Sequence, residues 1–217
     1  MKVTERGFMY AAHFLAGCMD FSVGILIVSM LGFHLGVDIP LPLYVLGAFL
    51  AVLPDMDLMS TVLWARPVDW NHHETLFHKP IVVLPLVIAV GISLGLVFGH
   101  TQLYAEVFFF CVLWHFIHDS FPYGGITWGW PLSPLYFTVT GAERPSDFEK
   151  RMRVPHPDWL VPTNISLSEL VATVIFLVAA ALFNQDITEI ITVLVLLFVA
   201  FVGFVWVFSK KLAPSLL

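Results

Sequence analysis

The residues of this chain that could do chemistry are histidines and aspartates set in an unusually apolar sequence. Of its 217 residues 59% are hydrophobic and only 12% are charged, whereas an average soluble domain is about a quarter charged. Ionisable groups within or at the ends of membrane-spanning segments are costly, and they are functional candidates by default. The candidates are His13, Asp20, Asp55, Asp57, His72, His73, His78, His115, His118 and Asp119.

The spacing of His115 and Asp119 indicates that both could bind one metal ion. Residues four apart lie on one face of a helix with their Cβ atoms about 6 Å apart, which suits an imidazole and a carboxylate that bind one metal ion. His118 lies off that face and is a candidate for the second shell of residues around the metal ion.

Two further pairs fit the same chemistry if the backbone around them is not helical. Asp55 and Asp57 point the same way only in an extended or turning segment, where they could hold one ion or bridge two. His73 and His78 are five residues apart, and they could bind the same ion if the segment between them is a loop. Imidazole and carboxylate without cysteine suit Zn²⁺, Mn²⁺ or Fe²⁺, with Mg²⁺ as a further candidate.

The elements that must position these groups are apolar stretches long enough to be membrane helices. Six spans of about 20 residues would use about 120 residues, which fits this composition and length and leaves little for a soluble domain. The second stretch is too short to span a membrane by itself. It must either include Gly36–Pro40 or stop inside the bilayer near Asp55. The six are Phe8–Leu35, Leu41–Leu53, Ile81–Phe98, Leu103–Phe116, Leu167–Phe183 and Ile187–Phe208.

Lys and Arg positions give the expected orientation, because cytoplasmic loops hold the excess of these residues. All ten Lys and Arg fall on one side of a six-span arrangement, so both termini are predicted to be cytoplasmic. Nearly all candidate residues then lie at the cytoplasmic ends of spans one to four, with Asp20 deeper. The sequence therefore predicts an all-α polytopic membrane protein, with its candidate groups at one level of the bilayer.

The expected organisation is a single membrane domain over residues 1–217. Residues 1–134 carry the motifs and spans one to four, residues 135–166 lie in a long cytoplasmic loop, and residues 167–217 form two further spans. The first part of the loop, rich in Gly, Pro and aromatic residues, could return over the site as a lid, although Trp128 and Trp130 could equally be interfacial aromatics. Asp20 could orient His13 as a second-shell carboxylate or make a plain interhelical hydrogen bond.

Four motifs in order resemble the YdjM-like family of inner-membrane putative metal-dependent hydrolases, also called LexA-binding. They are an early His in the first span, a Leu-Pro-Asp-x-Asp segment, two His five apart, and a His-x-x-x-Asp followed by Tyr-Gly and Trp-Pro-Leu-Ser. The matching residues are His13, Leu53–Asp57, His73 to His78, His115 to Asp119, Tyr123-Gly124 and Trp130–Ser133. Glu74, Thr75, Phe77 and Lys79 depart from the family's Arg, Gly, Thr and Ser, so the substrate could differ from that of typical members.

These observations favour a metal-dependent hydrolase that acts on a lipid or another amphipathic ester through metal-activated water. The predicted metal ligands are His13, Asp55, Asp57, His73, His78, His115 and Asp119, of which Asp57, His78 and Asp119 are also the predicted catalytic groups. The alternatives are a divalent-metal or proton-coupled transporter and a membrane scaffold without chemistry. The net charge of −6 argues against a nucleic-acid partner, and the oligomeric state is not encoded in any pattern.

Overall fold

The computed structural model describes residues 3–56, 75–121, 125–138, 141–144 and 164–183, together with residues 188, 191–192 and 195. Side chains are described from Ala16 onward in the first helix and from Ser168 onward in the last. Within these ranges the structure is mostly helical, as the composition predicts. The helices are α1 (Val3–Leu35), α2 (Leu41–Leu50), α3 (Pro80–Phe98), α4 (Thr101–Asp119) and α5 (Asn164–Phe183).

The boundaries of α2 and α3 follow from proline and glycine. Pro42 and Pro80 stand in the first turns of these helices, where the missing N–H would have had no partner in the helix. Gly99 ends α3 in the left-handed region at φ 87°, a conformation that costs little energy only for glycine. The predicted starts and stops of the second and third apolar stretches are therefore confirmed to within a few residues.

Two helical segments are long and apolar enough to cross a membrane, by length and composition: Ala16–Leu35 of α1 and all of α3. The outer face of α3 is apolar and exposed, with Leu96 at 73% and Val97 at 75%, as expected of a surface that faces lipid. α2 has only 10 residues and is short, as predicted. The full six-span arrangement remains a prediction, because Ile187–Phe208 lies largely outside the described residues.

Close approaches show that α1 and α2 are antiparallel. Gly24 of α1 faces Gly47 of α2, and Gly32 faces Ile39. α4 runs in the direction of α2, since the Cys111 thiol lies beside Gly47 and the His115 imidazole lies beside Ala51, further along both helices. The carboxyl ends of α2 and α4 therefore meet at one end of the bundle, which we call the site end.

α3 begins at the site end, and so does α5, whose last residue, Phe183, packs against Phe33 near the end of α1. Gly95 and Gly91 of α3 pack on Thr101 and Tyr104 of α4, so these two helices are antiparallel. The buried core between the helices is aliphatic and aromatic, and it encloses few polar groups among the described side chains. Its fully buried members include Ile25, Val28, Ala48, Val107, Cys111, Val112 and Phe116.

One part of the fold was not predicted: the loop after α4 contains a short β-hairpin. β1 (Tyr136–Thr138) pairs antiparallel with β2 (Gly141–Glu143), and Ile126 adds an isolated bridge to Phe137. Strands of three residues within a loop rich in proline and aromatics leave no alternating pattern long enough to detect. The segment was predicted as a loop, and the hairpin adds local structure to it within a mostly helical fold.

The contact of Gly24 with Gly47 yields a stability prediction. A Cβ added at Gly24 would meet the Gly47 carbonyl oxygen and lie 2.8 Å from Ala48 Cα. We expect Gly24→Ala to lower the free energy of unfolding in detergent by about 1–3 kcal/mol, because overpacking forces the helices apart. The matched control is Gly17→Ala on the same helix, where a Cβ meets nothing within 4 Å. Equal effects of the two substitutions would contradict the close packing of α1 on α2.

Candidate metal centre

Four side chains from three segments converge at the site end of the bundle. Asp55 ends a 3₁₀ turn, Leu53–Asp55, that follows α2, and His78 ends a second 3₁₀ turn, Leu76–His78, that precedes α3. His115 and Asp119 occupy the last turns of α4. One ligand atom from each of these four residues lies within 4.8 Å of the others. Groups up to 64 positions apart in the chain thus face one point.

The distances between these atoms match the spacing around a metal ion. His115 Nε2 lies 3.1 Å from Asp119 Oδ2 and 3.5 Å from Asp55 Oδ1. His78 Nε2 lies 3.4 Å from the same Asp55 oxygen and 3.6 Å from the same Asp119 oxygen. Four ligands bound at about 2.1 Å in tetrahedral geometry are about 3.4 Å apart. The four atoms therefore stand close to the corners that an ion such as Zn²⁺ requires.

The local backbone explains why each group points inward. Pro54 is buried within the first 3₁₀ turn, and this turn aims Asp55 back toward the end of α2. The second turn closes through the hydrogen bond from the His78 amide to the Thr75 carbonyl, 3.1 Å, and Thr75 Oγ1 lies 3.3 Å from His78 Nδ1. Each imidazole thus has a partner behind it and its Nε2 directed at the carboxylates.

The hydrogen bond to Ala51 shows which nitrogen of His115 carries a hydrogen in every protonation state. Its Nδ1 lies 2.9 Å from the Ala51 carbonyl oxygen, which can only accept, so Nδ1 must carry the hydrogen. In its neutral, metal-binding form the ring presents the Nε2 lone pair to the carboxylate oxygens of Asp55 and Asp119, which repel it. A cation between these atoms relieves that repulsion.

The donor set fits a divalent metal ion better than a proton. A proton on one imidazole could compensate one carboxylate, whereas a divalent ion binds all four donor atoms at once. Both histidine side chains are fully buried, while those of Asp119 and Asp55 are 16% and 35% exposed. The exposed side of the centre therefore lies at the carboxylates. Two imidazoles and two carboxylates are a ligand set for Zn²⁺, Mn²⁺ or Fe²⁺.

The structure brings together four of the seven predicted ligands. Asp57 and His73 lie outside the described residues. His13 lies on α1, but its side chain is outside the part of that helix whose side chains are described. The predicted contact between residues 115 and 119 is confirmed by the 3.1 Å separation of their ligand atoms.

Asp20 has partners that the sequence did not indicate. It is buried, and its carboxylate lies against three residues of α4: Trp114, His115 and His118. Sequence reasoning paired it with His13 because both stand on one face of α1. The contacts with α4 depend on how two helices pack across more than 90 residues of chain, and no local pattern carries that information.

Lys79 is the second residue whose environment was missed. It is only 6% exposed; its Nζ donates a hydrogen bond to Thr127 Oγ1 at 2.8 Å and lies 5.9 Å from the centre of the Tyr136 ring. In the sequence it counted only as a cytoplasmic charge. The only feature of the sequence that set this position apart was that Lys79 stands where the family has Ser.

The loop after α4 folds back onto the site end. The Gly125 amide donates to the Asp119 carbonyl oxygen at 2.6 Å, and the Trp128 indole N–H donates to Ser120 Oγ at 2.9 Å. The Trp128 ring also packs edge-on against Phe116. The expected return of the loop is thus observed in the part of it that the structure describes, and Trp128 is fixed by α4.

Comparison with known proteins supports the same family as the motifs. The family model described as YdjM inner membrane protein matches residues 13–212, which is most of the chain. The chain therefore belongs to the YdjM family, and the family is one of inner membrane proteins. No curated protein and no solved structure is similar enough to the chain to be matched.

The geometry of the centre predicts stoichiometric metal binding. We expect the purified full-length protein to bind one Zn²⁺ or Mn²⁺ ion per chain, and Asp119→Ala to weaken this binding by more than about 100-fold, since it removes a ligand. Metal content and titration calorimetry measure the effect. His100→Ala is the control, because His100 is exposed and precedes α4 at the opposite end of the bundle. Unchanged binding in Asp119→Ala would contradict the assignment.

The Lys79 contact predicts a second effect, on stability. Thr127→Val keeps the volume of the side chain but removes the hydroxyl that accepts from the buried ammonium. We expect it to lower the free energy of unfolding by about 1–3 kcal/mol, the usual cost of a lost buried partner. Thr127→Ser retains the hydroxyl and should cost less. If the Ser and Val variants were equally stable, the hydrogen bond would contribute nothing.

Proposed function

We propose that this YdjM-family protein is an integral-membrane, metal-dependent hydrolase that cleaves an ester or phosphoester bond of a lipid or another amphipathic molecule at the cytoplasmic leaflet. The observation that carries the proposal is the group of Asp55, His78, His115 and Asp119, whose ligand atoms lie within 4.8 Å of one another. A divalent ion in such a group supplies Lewis acidity and an activated water nucleophile.

The unequal exposure of the four groups supports a catalytic site over a purely structural one. The imidazoles are closed off at 0% exposure, while Asp55 at 35% and Asp119 at 16% face the accessible side. Structural sites are closed by their protein ligands, whereas catalytic sites keep one side open. A carboxylate that holds one oxygen at the ion can use the other to accept a proton from water. Asp119 and Asp55 are the described candidates for that role.

Apolar residues around the centre favour an amphipathic substrate. Each of four exposed side chains lies within two positions of a member of the centre along the chain. Exposed apolar clusters of this kind mark membrane or ligand contacts. A substrate with acyl chains could leave them in the bilayer while its polar bond reached the carboxylates. The four are Met56 at 41%, Leu76 at 61%, Phe77 at 51% and Phe121 at 45% exposed.

Charge distribution supports the cytoplasmic side. Lys79 and Arg144 belong to segments that adjoin the site end, and Arg6 lies on the part of α1 that extends from Asp20 past that end. An excess of Lys and Arg marks cytoplasmic loops. Transport is the less favoured alternative, since transporters bind their cargo near the bilayer midplane with access from both sides, and this centre lies at helix ends.

Hydrolysis is testable with the purified protein in mixed micelles that contain a fluorogenic phospholipid, alongside soluble phosphate and carboxylate esters. We expect cleavage that stops on chelation and returns with Zn²⁺ or Mn²⁺, and a loss of about 10²-fold or more in Asp119→Asn. His100→Ala is the control with full activity expected. Activity that is equal in Asp119→Asn, or Zn²⁺ uptake into proteoliposomes without any hydrolysis, would contradict the proposal.

A further inference from the structure

We propose that Asp20 is a positioning residue of the metal centre: its buried carboxylate holds the imidazole of His115 from behind and ties it to His118 one turn further along α4. This inference rests on the proposed function, since it assigns Asp20 a part in metal binding. Nothing in the family motifs requires an acid at this position of the first span.

The contacts of Asp20 are those of a carboxylate with both oxygens engaged. Oδ1 accepts a hydrogen bond from the Trp114 indole N–H at 2.8 Å and lies 2.9 Å from His118 Nδ1. Oδ2 lies 3.5 Å from His115 Nδ1. The residue is 2% exposed and sits well inside α1. A carboxylate in such surroundings is destabilising unless it is paired, and among the described residues α4 supplies these three partners.

The position of Asp20 relative to His115 is that of a second-shell group. A histidine that binds a metal through one ring nitrogen usually donates its other N–H to a carboxylate or a carbonyl. His115 has both behind it, because Nδ1 donates to the Ala51 carbonyl at 2.9 Å and faces Asp20 Oδ2 at 3.5 Å. The carbonyl sets which nitrogen carries the hydrogen. The carboxylate adds negative charge that makes Nε2 a stronger donor to an ion.

A role in helix packing alone does not account for this arrangement. The bond from Trp114 to Oδ1 already links α1 to α4, and Ser29 shows how other buried polar groups of α1 are satisfied, by a hydrogen bond to Ile25 of the same helix. Asp20 instead directs its second oxygen at a predicted ligand. A packing role predicts lower stability with unchanged metal affinity of the folded protein, whereas a positioning role predicts weaker binding.

The test compares Asp20→Asn with wild type in the full-length protein, loaded with Zn²⁺ for affinity and with Co²⁺ for its visible absorption. Asparagine keeps the shape of the side chain and removes its charge. We expect Zn²⁺ affinity to fall by about 10–100-fold, the usual effect of removing such a partner, with a shift in the Co²⁺ bands. Ser29→Ala is the control, a second buried polar residue of α1, and should change neither.

Trp114→Phe keeps the experiment decisive if Asp20→Asn does not fold. It preserves the aromatic ring and the Asp20 charge but removes one hydrogen bond to Oδ1, so a loss of about fivefold in affinity is expected. Unchanged Zn²⁺ affinity and Co²⁺ spectrum in the folded variant would overturn the role of Asp20 and leave the hydrolase proposal standing. A wild-type protein that binds no divalent ion would overturn both.

Discussion

The constraint on which this structure depends is the meeting of two carboxylates and two imidazole nitrogens at one largely buried point. Like charges in apolar surroundings repel strongly, so Asp55 and Asp119 can share a site with two imidazoles only where positive charge, from a bound cation or a protonated ring, balances them. The imidazoles are held from the far side, His115 by the Ala51 carbonyl and His78 beside Thr75. These contacts leave the rings little freedom to turn away.

The helix bundle makes this meeting possible because it brings the ends of several helices to one level. α1 and α2 approach closely at Gly24 and Gly47, which places the end of α2 against α4 and therefore Asp55 near Asp119. α3 starts where α4 ends, and this puts His78 on the same point. The loop after α4 then covers this end through Thr127, which accepts from the buried Lys79. Apolar packing along the helices is thus what holds a polar centre at their ends.

Much of this arrangement could be predicted from the sequence, and the rest could not for identifiable reasons. The spacing of His115 and Asp119 fixes their proximity because both stand on one helix. Asp55 and His78 came from motif order and from a topology that brings alternate helix ends together. The partners of Asp20 could not be predicted, since they depend on the rotation of α1 against α4. The sequence analysis used Lys79 only as one of the charges that mark the cytoplasmic side, and the fold of the loop over it is what shows that it is buried.

X-ray absorption at the zinc edge of the Zn²⁺-loaded full-length protein tests the central claim most directly. The account predicts about two imidazole nitrogens and one or two carboxylate oxygens at about 2.0–2.2 Å, with no sulfur in the shell. The imidazole signal should weaken in His115→Ala. A shell with sulfur ligands, or one without imidazole scattering, would contradict a centre built from Asp55, His78, His115 and Asp119.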